Sequence, residues 1–364
     1  MNTGIINGKL ARIACPAAVA AALALSGSLH AKSKTIFLTV DCDSGDSITK
    51  QLEKYPGESL DITVKGICNE SVEIRGGDVV LHGNDRKTDG IAGAAKGDAL
   101  VIRDAADVDV RELQLSNGVS GLRVVRSREN ISLSNLLVFG NAANGILLDD
   151  STATVTGVDI AENGLGLSTE AAIGIGALNG SDATCTECNI FATNPSETGI
   201  AGEAVRGSRL VFVASDLNGD LVWRATDHST VIANESMLES TALNGNVAFA
   251  NNYSRIGAFS STMNSGITVS NNSTLELFGV TQDAPPGAVQ GNFNVRRDSW
   301  LYARDLGGVP TLLDGIVTLD EFSRGRIRNF GAPSSVGPVI CLNGSDVIID
   351  AGVVGSGMGC PSAP

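Results

Sequence analysis

A serine recurs ten times in the chain at a nearly fixed stride, and successive members of the set lie 19–30 residues apart. The set is Ser127, Ser151, Ser181, Ser208, Ser229, Ser254, Ser273, Ser299, Ser323 and Ser345. A stride in this range is typical of solenoid folds, in which each repeat is one structural unit that stacks on the next. The spacing therefore constrains the architecture more tightly than any other feature of the sequence.

Short apolar alternations follow these serines. After Ser208 come Leu210 and Phe212, and a second pair, such as Val158 and Ile160, often follows after a corner. Apolar residues two positions apart point to the same face of a β-strand. Since another strand-like stretch precedes most of the serines, each repeat should hold two or three short strands. Such a repeat cannot bury its apolar face alone and must stack on its neighbours.

Asparagines mark the turns between these strands, several of them in Asn-Gly pairs. The set is Asn117, Asn141, Asn163, Asn194, Asn218, Asn244 and Asn264. Asparagine and glycine tolerate the left-handed backbone that a sharp corner needs. Stacked asparagine amides also hydrogen-bond from one strand layer to the next. The asparagines therefore support the same stacked architecture.

The repeats resemble the right-handed parallel β-helix proteins of the pectate-lyase-like superfamily over roughly residues 60–357. The resemblance implies an all-β fold, a single right-handed parallel β-helix of about 12 rungs with an N-terminal strand and helix as its cap. Its handedness comes from the resemblance alone. A β-propeller blade needs about 40 or more residues, and the Leu-x-x-Leu-x-Leu frame of leucine-rich repeats is absent.

The chain is predicted to begin with an export signal. The predicted division is residues 1–31 as signal peptide, 32–58 as N-terminal cap and 59–364 as the β-helix domain. Lys9 and Arg12 precede an apolar run at 14–25, and cleavage is expected after Ala31 or, alternatively, after Ser28. The run is shorter than the roughly 20 residues that span a bilayer. We therefore expect a periplasmic or extracellular protein without a membrane span.

The chain is acidic, with a formal net charge of −14. Removal of residues 1–31, which carry Lys9 and Arg12 and no acidic residue, would leave it more acidic still. Nucleic-acid phosphates would be repelled by such a charge, so a nucleic-acid partner is not expected. A local arginine patch would still attract an anionic polysaccharide.

Six cysteines remain after the predicted signal peptide, an even number in an oxidising compartment. The expected bridges join Cys42 to Cys68 at the N-terminal cap and Cys341 to Cys360 at the C-terminal end. Cys185 and Cys188 have the spacing of a redox or zinc motif, but no second cysteine pair or nearby histidine completes a zinc site. Both occupy apolar columns of the repeat, which indicates a buried structural role, bridged or not.

Polar residues in the turn before each serine form a candidate catalytic set. Arg206, Asp227, His228 and Tyr253 fall on three adjacent repeats, and Arg224 lies on the strand before His228. A uronate lyase or epimerase needs a cation to neutralise the sugar carboxylate, a base and an acid. Arg206 or Arg224 could be the cation, with His228 and Tyr253 as base and acid. The alternative is an ordinary row of solvent-facing turn residues.

A second resemblance, to the polygalacturonase branch of these proteins, fails on spacing. Asp149 and Asp150 resemble its paired aspartates and Asp89 a third, yet 60 residues separate Asp89 from Asp149. Glycoside hydrolysis needs two carboxyl groups within roughly 5–9.5 Å. The aspartate pair offers oxygen ligands for calcium, but adjacent residues of a strand point to opposite faces. No metal site and no cofactor are predicted.

A candidate binding patch follows two of the last serines. Trp300, Tyr302, Arg324 and Arg326 alternate with apolar residues that take the inward positions, so these four should face outward. An exposed aromatic pair beside two arginines suits the stacking of sugar rings and the pairing of their acidic groups. The alternatives are a patch packed under a loop and a protein-interaction surface.

The sequence thus predicts a secreted β-helix protein that binds an acidic polysaccharide and, if it is an enzyme, acts as a lyase or uronate epimerase. Two other hypotheses stay open: a non-catalytic carbohydrate-binding or adhesive module, and a structural protein of the cell envelope. The sequence gives no prediction of oligomeric state.

Overall fold

A computed structural model describes residues 34–94, 96–164, 172–192, 199–241, 246–282, 292–306, 309–313, 315–328, 335–349, 354–357 and 360. The predicted signal peptide lies outside the described residues, as do Asn194 and Asn244. The elements below all belong to one compact unit, Thr35–Pro364.

The fold is a right-handed parallel β-helix of about 12 turns, as predicted. A complete turn contributes one strand to each of three sheets, and strands of successive turns pair in parallel. We call these sheets 1, 2 and 3, in the order in which the chain visits them after each serine.

Sheet 1 follows the serines and runs the full length of the described fold. Its strands are β1 (Ile36–Asp41), β2 (Leu60–Lys65), β5 (Val79–His82), β8 (Ala106–Arg111), β11 (Glu129–Ser134), β14 (Thr152–Thr156), β17 (Asp182–Thr186), β20 (Arg209–Val213), β23 (Thr230–Asn234), β26 (Arg255–Phe259), β29 (Thr274–Phe278), β32 (Trp300–Arg304), β35 (Arg324–Arg328) and β37 (Asp346–Ile349).

Sheet 2 has the shortest strands. They are β3 (Ile67–Asn69), β6 (Gly90–Ala92), β9 (Gln114–Ser116), β12 (Leu137–Phe139), β15 (Asp159–Ala161), β18 (Asn189–Ala192), β21 (Asp216–Gly219), β24 (Met237–Ser240), β27 (Thr262–Met263), β30 (Thr281–Gln282) and β33 (Leu312–Leu313).

Sheet 3 leads into the corner that carries the serines. Its strands are β4 (Val72–Arg75), β7 (Leu100–Arg103), β10 (Ser120–Val125), β13 (Asn144–Asp149), β16 (Ala172–Leu178), β19 (Gly199–Val205), β22 (Leu221–Thr226), β25 (Asn246–Asn251), β28 (Gly266–Val269), β31 (Phe293–Val295), β34 (Val317–Leu319), β36 (Ser335–Cys341) and β38 (Val354–Gly357). The long strand β36 pairs with both β33 and β34 and so joins sheets 2 and 3.

The core consists of apolar columns that run along the helix axis. In sheet 1, Leu210, Val231, Ile256, Leu275 and Leu301 are register partners on five successive strands, and each is fully buried. Full burial of one such side chain contributes about 1.5–3 kcal/mol. The inward apolar residues predicted from the alternation therefore stack on one another from turn to turn.

The recurrent serines form a continuous hydrogen-bonded ladder. All ten are at most 2% exposed, and the backbone N–H of each of the first nine donates to the Oγ of the next across 3.0–3.3 Å. A buried backbone N–H needs an acceptor. Because the chain turns sharply before each serine, the hydroxyl of the next turn supplies that acceptor.

The turn before these serines has a fixed left-handed form in the C-terminal half. Two consecutive residues adopt positive φ there, as in Asp227 and His228 (56° and 65°) and in Asn252 and Tyr253 (55° and 61°). Non-glycine residues rarely adopt this conformation. The turn places the second residue of each pair outside the barrel, where His228 and Tyr253 are both exposed.

Two shorter ladders support the other corners. At the corner after sheet 1, the backbone N–H groups of Cys188, Ser215 and Ser236 donate to the Oγ atoms of Ser215, Ser236 and Ser261. At the corner after sheet 2, the amide of Asn141 donates to Oδ1 of Asn163 across 2.8 Å, and both side chains are buried.

The N-terminal end is closed by a 3-10 turn (Cys42–Ser44) and the helix α1 (Ile48–Lys54). Glu70 caps the helix from outside, because its carboxylate accepts from the backbone N–H groups of Ile48 and Thr49 and from the hydroxyl of Ser47. Ile48, the first residue of the helix, is fully buried. Among the described residues, no helix is long and apolar enough to cross a membrane.

Three disulfides are present: Cys42–Cys68, Cys185–Cys188 and Cys341–Cys360. The first ties the 3-10 turn to β3 in the cap. Cys185 and Cys188 are at most 1% exposed, so this bridge stiffens the buried corner between β17 and β18.

Candidate functional site

The five residues of the candidate catalytic set do not converge on one point. The guanidinium of Arg206 donates to Oδ1 of Asn179, one turn earlier in the helix, across 3.3 Å. The carboxylate of Asp227 accepts from the amide of Asn252 across 2.8 Å. Each of these side chains is thus engaged with its neighbour in the stack of corner residues.

Arg224 lies on sheet 3, three residues before Asp227, where the corner begins. Its register partner on the preceding strand is Glu203, and the two side chains form an ion pair. The carboxylate of Glu203 is buried, with 5% of its side chain exposed. Since a buried carboxylate needs a partner, this arginine has a structural task that the sequence did not indicate.

His228 and Tyr253 do come together. Their rings are stacked with centroids 5.2 Å apart and an interplanar angle of 11°. Both rings are solvent-exposed at the outer edge of the corner. The structure therefore places the predicted base beside the predicted acid, but Arg206 and Arg224 have their own partners. The grouping of all five as a catalytic site stays a prediction.

The same corner carries a bidentate, solvent-exposed ion pair in turns closer to the N-terminus. Two N–H groups of Arg126 donate to the two carboxylate oxygens of Asp104, each across 2.7 Å. These hydrogen bonds lower the pKa of Asp104 and raise the pKa of Arg126. The pair shows how corner charges in this acidic chain are neutralised by the adjacent turn.

The candidate binding residues do form one surface, on the outer face of sheet 1. Trp300 pairs in register with Arg324, and Tyr302 with Arg326, on the adjacent strands β32 and β35. The rings of Trp300 and Tyr302 are stacked with centroids 5.7 Å apart and an interplanar angle of 7°. The guanidinium of Arg324 lies 5.3 Å from the centroid of the Trp300 ring. We call these four residues the aromatic–arginine face.

The residues between them take the inward positions, as the alternation predicted. Leu301 and Ala303 are at most 1% exposed, whereas Trp300 keeps 36% of its surface exposed. The aromatic rings are therefore outside the core and accessible to a ligand.

Two cavities adjoin the aromatic–arginine face. The first, of about 480 Å³, is lined by Asn272, Asp298, Trp300, Phe322, Arg324, Gly344 and Asp346. The second, of about 170 Å³, is lined by Phe278, Tyr302, Ala303, Arg304, Arg326 and Arg328. We call the second the arginine pocket. A ligand lying on the face would thus have a recess on each side of the aromatic pair.

Three residues of the arginine pocket were missed in the sequence: Phe278, Arg304 and Arg328. Arg304 and Arg328 occupy the next outward position of β32 and β35, and Phe278 occupies the equivalent position of β29; Phe278 pairs with Arg304, and Arg304 with Arg328. The Arg304 guanidinium lies 4.4 Å from the centroid of the Phe278 ring. The period-two alternation, continued by one more step, would have identified all three.

One carboxylate of this face is already paired with another arginine. Glu276, the register partner of Tyr302, forms an ion pair with Arg255 of the preceding strand. Of the residues described as lining the arginine pocket, none is acidic. The arginine pocket is therefore positively charged although the chain as a whole is acidic, whereas Asp298 and Asp346 line the first cavity beside Trp300 and Arg324.

A further polar cluster lies at the opposite end of sheet 1. Nε2 of His82 lies 3.0 Å from Oδ1 of Asp61 and 3.2 Å from Oγ1 of Thr63, and Nδ1 lies 3.1 Å from the carbonyl oxygen of Gly83. Both ring nitrogens are therefore occupied within the protein. The outward positions of Asp61 and Thr63 in the sequence did not predict that both would contact His82 of the next strand.

Within the described residues, no group of three or more histidine, cysteine or acidic side chains could hold a metal ion. The two aspartates considered for calcium have other partners. Asp149 accepts from the amide of Asn179 across 2.7 Å, and Asp150 pairs with Arg128.

No protein-family model and no curated protein matches the chain. Similar solved structures include an alginate lyase from Paenibacillus sp. str. FPU-7, 11% identical, with a TM-score of 0.44 over 71% of this chain and 99% of that one. A pectin methylesterase in complex with a hexasaccharide is 10% identical, with a TM-score of 0.43 over 64% of this chain and 90% of that one. Pectin methylesterase PemA from Erwinia chrysanthemi is 11% identical, with a TM-score of 0.36 over 67% of this chain and 82% of that one. Likenesses this weak transfer no activity to the chain.

Proposed function

We propose that the protein is exported and binds an acidic polysaccharide through the aromatic–arginine face. The observation that supports this most directly is the stacked Trp300–Tyr302 pair, whose register partners are Arg324 and Arg326. Aromatic rings offer flat apolar area for sugar rings, and guanidinium groups pair with carboxylate or ester anions through charge-assisted hydrogen bonds. The aromatic rings lie on β32 and the guanidinium groups lie beside them on β35.

The charge distribution supports an anionic ligand over a neutral one. Elsewhere on sheet 1, outward arginines pair with carboxylates, as Arg209 does with Asp182 and Arg255 with Glu276. Among the described residues, no ion pair joins Arg324 or Arg326 to a carboxylate, although Asp346 on β37 is the register partner of Arg324. In an acidic protein, a surface that keeps such positive charge is suited to bind an anion.

Replacement of Trp300 in the aromatic–arginine face tests the proposal. Trp300→Ala should weaken binding of the preferred acidic polysaccharide about tenfold or more, as expected for loss of a central aromatic anchor. The matched control is Phe37→Ala, which removes a 76% exposed ring from β1, at the other end of the same sheet. Binding is measured by calorimetry on pectate, alginate, hyaluronan and chondroitin sulfate, with neutral dextran as the uncharged reference.

The proposal is wrong if none of the acidic polysaccharides binds more tightly than dextran. It is also wrong if Trp300→Ala binds as tightly as the unmodified protein and the control Phe37→Ala. The first result would favour the structural cell-envelope hypothesis, and the second would place the polysaccharide on another surface of the protein. Thermal unfolding of both variants shows that the fold is intact.

A further inference from the structure

The two ends of the aromatic–arginine face differ in charge. The cavity of about 480 Å³ beside Trp300, which we call the corner cavity, has as its charged lining residues Asp298, Asp346 and Arg324, two carboxylates against one guanidinium. The arginine pocket beside Tyr302 has no acidic residue among those described as lining it. A ligand that crosses the face therefore meets a negative site at one end and a positive site at the other.

The corner cavity is a trough between two columns of residues that run along the helix axis. Trp300, Arg324 and Asp346 are register partners at the first outward position of β32, β35 and β37. Asp298 lies two residues before Trp300, and Phe322 two residues before Arg324, both in the left-handed corner. Because successive turns stack about 4.8 Å apart, the trough crosses three turns of the helix.

The two carboxylates of the corner cavity are available to a ligand. At other corners such groups are engaged, as in the ion pair of Asp104 with Arg126. Within the described part of the chain, the carboxylates of Asp298 and Asp346 form no hydrogen bond and no ion pair. An ionised carboxylate offers only acceptor oxygens, so the groups that complement this cavity are donors such as hydroxyls.

Phe322 gives the cavity an apolar wall. It has a φ of 63° and is 66% exposed, and bulky residues rarely adopt this backbone conformation. Its ring lies on Gly344 of the next turn, where an added Cβ would be 2.8 Å from two ring atoms. Neither core packing nor turn geometry calls for a phenylalanine here, whereas a flat ring beside Trp300 suits the apolar face of a sugar.

We infer that the corner cavity binds an uncharged sugar, so that the preferred ligand is a polysaccharide in which acidic and neutral sugars alternate. The rings of Trp300 and Phe322 pack against this sugar. The carboxylates of Asp298 and Asp346 accept from its hydroxyl groups. A uronate in the same place would bring a third carboxylate beside two others, and such juxtaposed like charges weaken binding. The inference rests on the proposed function and specifies the ligand of the same surface.

The adjoining acidic sugar lies over Tyr302. The step from Trp300 to Tyr302 is two residues of an extended strand, about 6.6 Å, which is of the order of one sugar ring. Arg326 is the register partner of Tyr302, and its guanidinium is placed to pair with the uronate carboxylate. The change of charge along the face therefore has the spacing of a disaccharide of one neutral and one acidic sugar.

The experiment compares oligosaccharides of matched length from hyaluronan and desulfated chondroitin, in which every second sugar is uncharged, with those from pectate, in which every sugar carries a carboxylate. Calorimetry at fixed ionic strength should show the alternating ligands bound about tenfold more tightly. Asp298→Asn combined with Asp346→Asn should raise the affinity for pectate to nearly that for hyaluronan, because the amides remove the charge and keep an acceptor. A damaged fold would not produce such a gain.

Two further variants separate the cavity from general effects. Asp216→Asn combined with Glu235→Gln removes two exposed carboxylates on and before β21 and β24 of sheet 2, changes the net charge equally and should leave the tenfold ratio unchanged. Phe322→Asn, which suits the left-handed turn, should weaken hyaluronan binding about threefold or more without lowering the unfolding temperature.

Equal or tighter binding of pectate by the unmodified protein would overturn the inference. So would a tenfold ratio that persists after both aspartates of the cavity are replaced, one that the control variant abolishes equally, or an unchanged hyaluronan affinity in Phe322→Asn. In each case the proposed function still holds as long as Trp300→Ala weakens binding. If no acidic polymer binds more tightly than dextran, the proposed function itself fails and the inference falls with it.

Discussion

The backbone N–H of Ser181 donates to Oγ of Ser208 across 3.2 Å, and Gly180 donates to the same oxygen across 3.1 Å. The hydroxyl in turn donates to the carbonyl oxygen of Val205 across 2.7 Å. One buried side chain thus contacts three backbone groups at a corner, and along the rest of the ladder each serine hydroxyl accepts from the N–H of the preceding turn.

Removal of this hydroxyl should destabilise the protein. Ser208→Ala removes an acceptor that two N–H groups share in a site that is 1% exposed. Each N–H keeps a backbone acceptor, the carbonyl of Arg206 for Gly180 and that of Leu178 for Ser181, so the free energy of unfolding should fall by about 0.5–1.5 kcal/mol, as for the loss of an ordinary hydrogen bond. The measurement is chemical denaturation, with Thr274→Ala, at a partly exposed position on the outer face of sheet 1, as control. An unchanged midpoint in Ser208→Ala would show that the ladder does not contribute to stability.

The serine stride predicted the fold well for a physical reason. A parallel β-helix repeats one corner with each turn, and only a small side chain that accepts a hydrogen bond fits inside that corner. Ser273 and Ser299 must therefore recur in phase however long the intervening loop is, and a repeat of that kind is visible in a single sequence. The apolar alternation after them is equally regular because each inward position stacks on the next.

The candidate sites were predictable only in part. The outward positions of Trp300 and Arg324 follow from the alternation of one strand. The ion pair of Arg224 with Glu203 does not, because it depends on which residues of separate repeats come into register. Loops of unequal length lie between such strands, so the sequence separation of 21 residues carries no recognisable signal.

The Arg224–Glu203 pair leads to a prediction that separates a structural role from a catalytic one. Arg224→Ala leaves the buried carboxylate of Glu203 unpaired and should lower the free energy of unfolding by about 3 kcal/mol. Adding Glu203→Gln should recover part of that loss, because the uncompensated charge is then removed. A double-mutant cycle by thermal unfolding measures the coupling. If Arg224→Ala unfolds like the unmodified protein, the arginine is free for another role.

Asp89 should make the protein sensitive to acid. Its carboxylate accepts backbone N–H groups of Asn84, Gly66 and Asp85. Burial raises the pKa of Asp89, but these hydrogen bonds outweigh it and hold the pKa below its ordinary value. The folded pKa is therefore lower than the unfolded one. The stabilisation is complete above the unfolded pKa, about 3.9, and is lost as the pH falls through the folded value.

Asp89→Asn should accordingly lower the free energy of unfolding by about 1–3 kcal/mol at neutral pH, and the difference from the unmodified protein should shrink below about pH 4. Urea denaturation at several pH values measures this. Asp182→Asn, which changes an exposed carboxylate paired with Arg209, is the control and should have little effect at any pH. A gap that stays the same at pH 3 and pH 7 would contradict the prediction.

The His228–Tyr253 stack allows the binding and catalytic hypotheses to be tested on the same protein. His228 precedes β23, three strand spacings or about 14 Å from Trp300 on β32. His228→Ala should therefore leave polysaccharide affinity within about twofold of the unmodified protein, whereas Trp300→Ala should not.

Both variants are incubated with pectate, alginate and hyaluronan, and unsaturated uronate is followed by its absorbance. A function limited to binding gives no absorbance with either variant or with the unmodified protein. Absorbance that the unmodified protein produces and His228→Ala does not would identify the corner as a lyase site, with the ring of His228 as the base that removes the proton next to the sugar carboxylate. Lost affinity in His228→Ala without any product would instead extend the binding surface from the aromatic–arginine face to the corner.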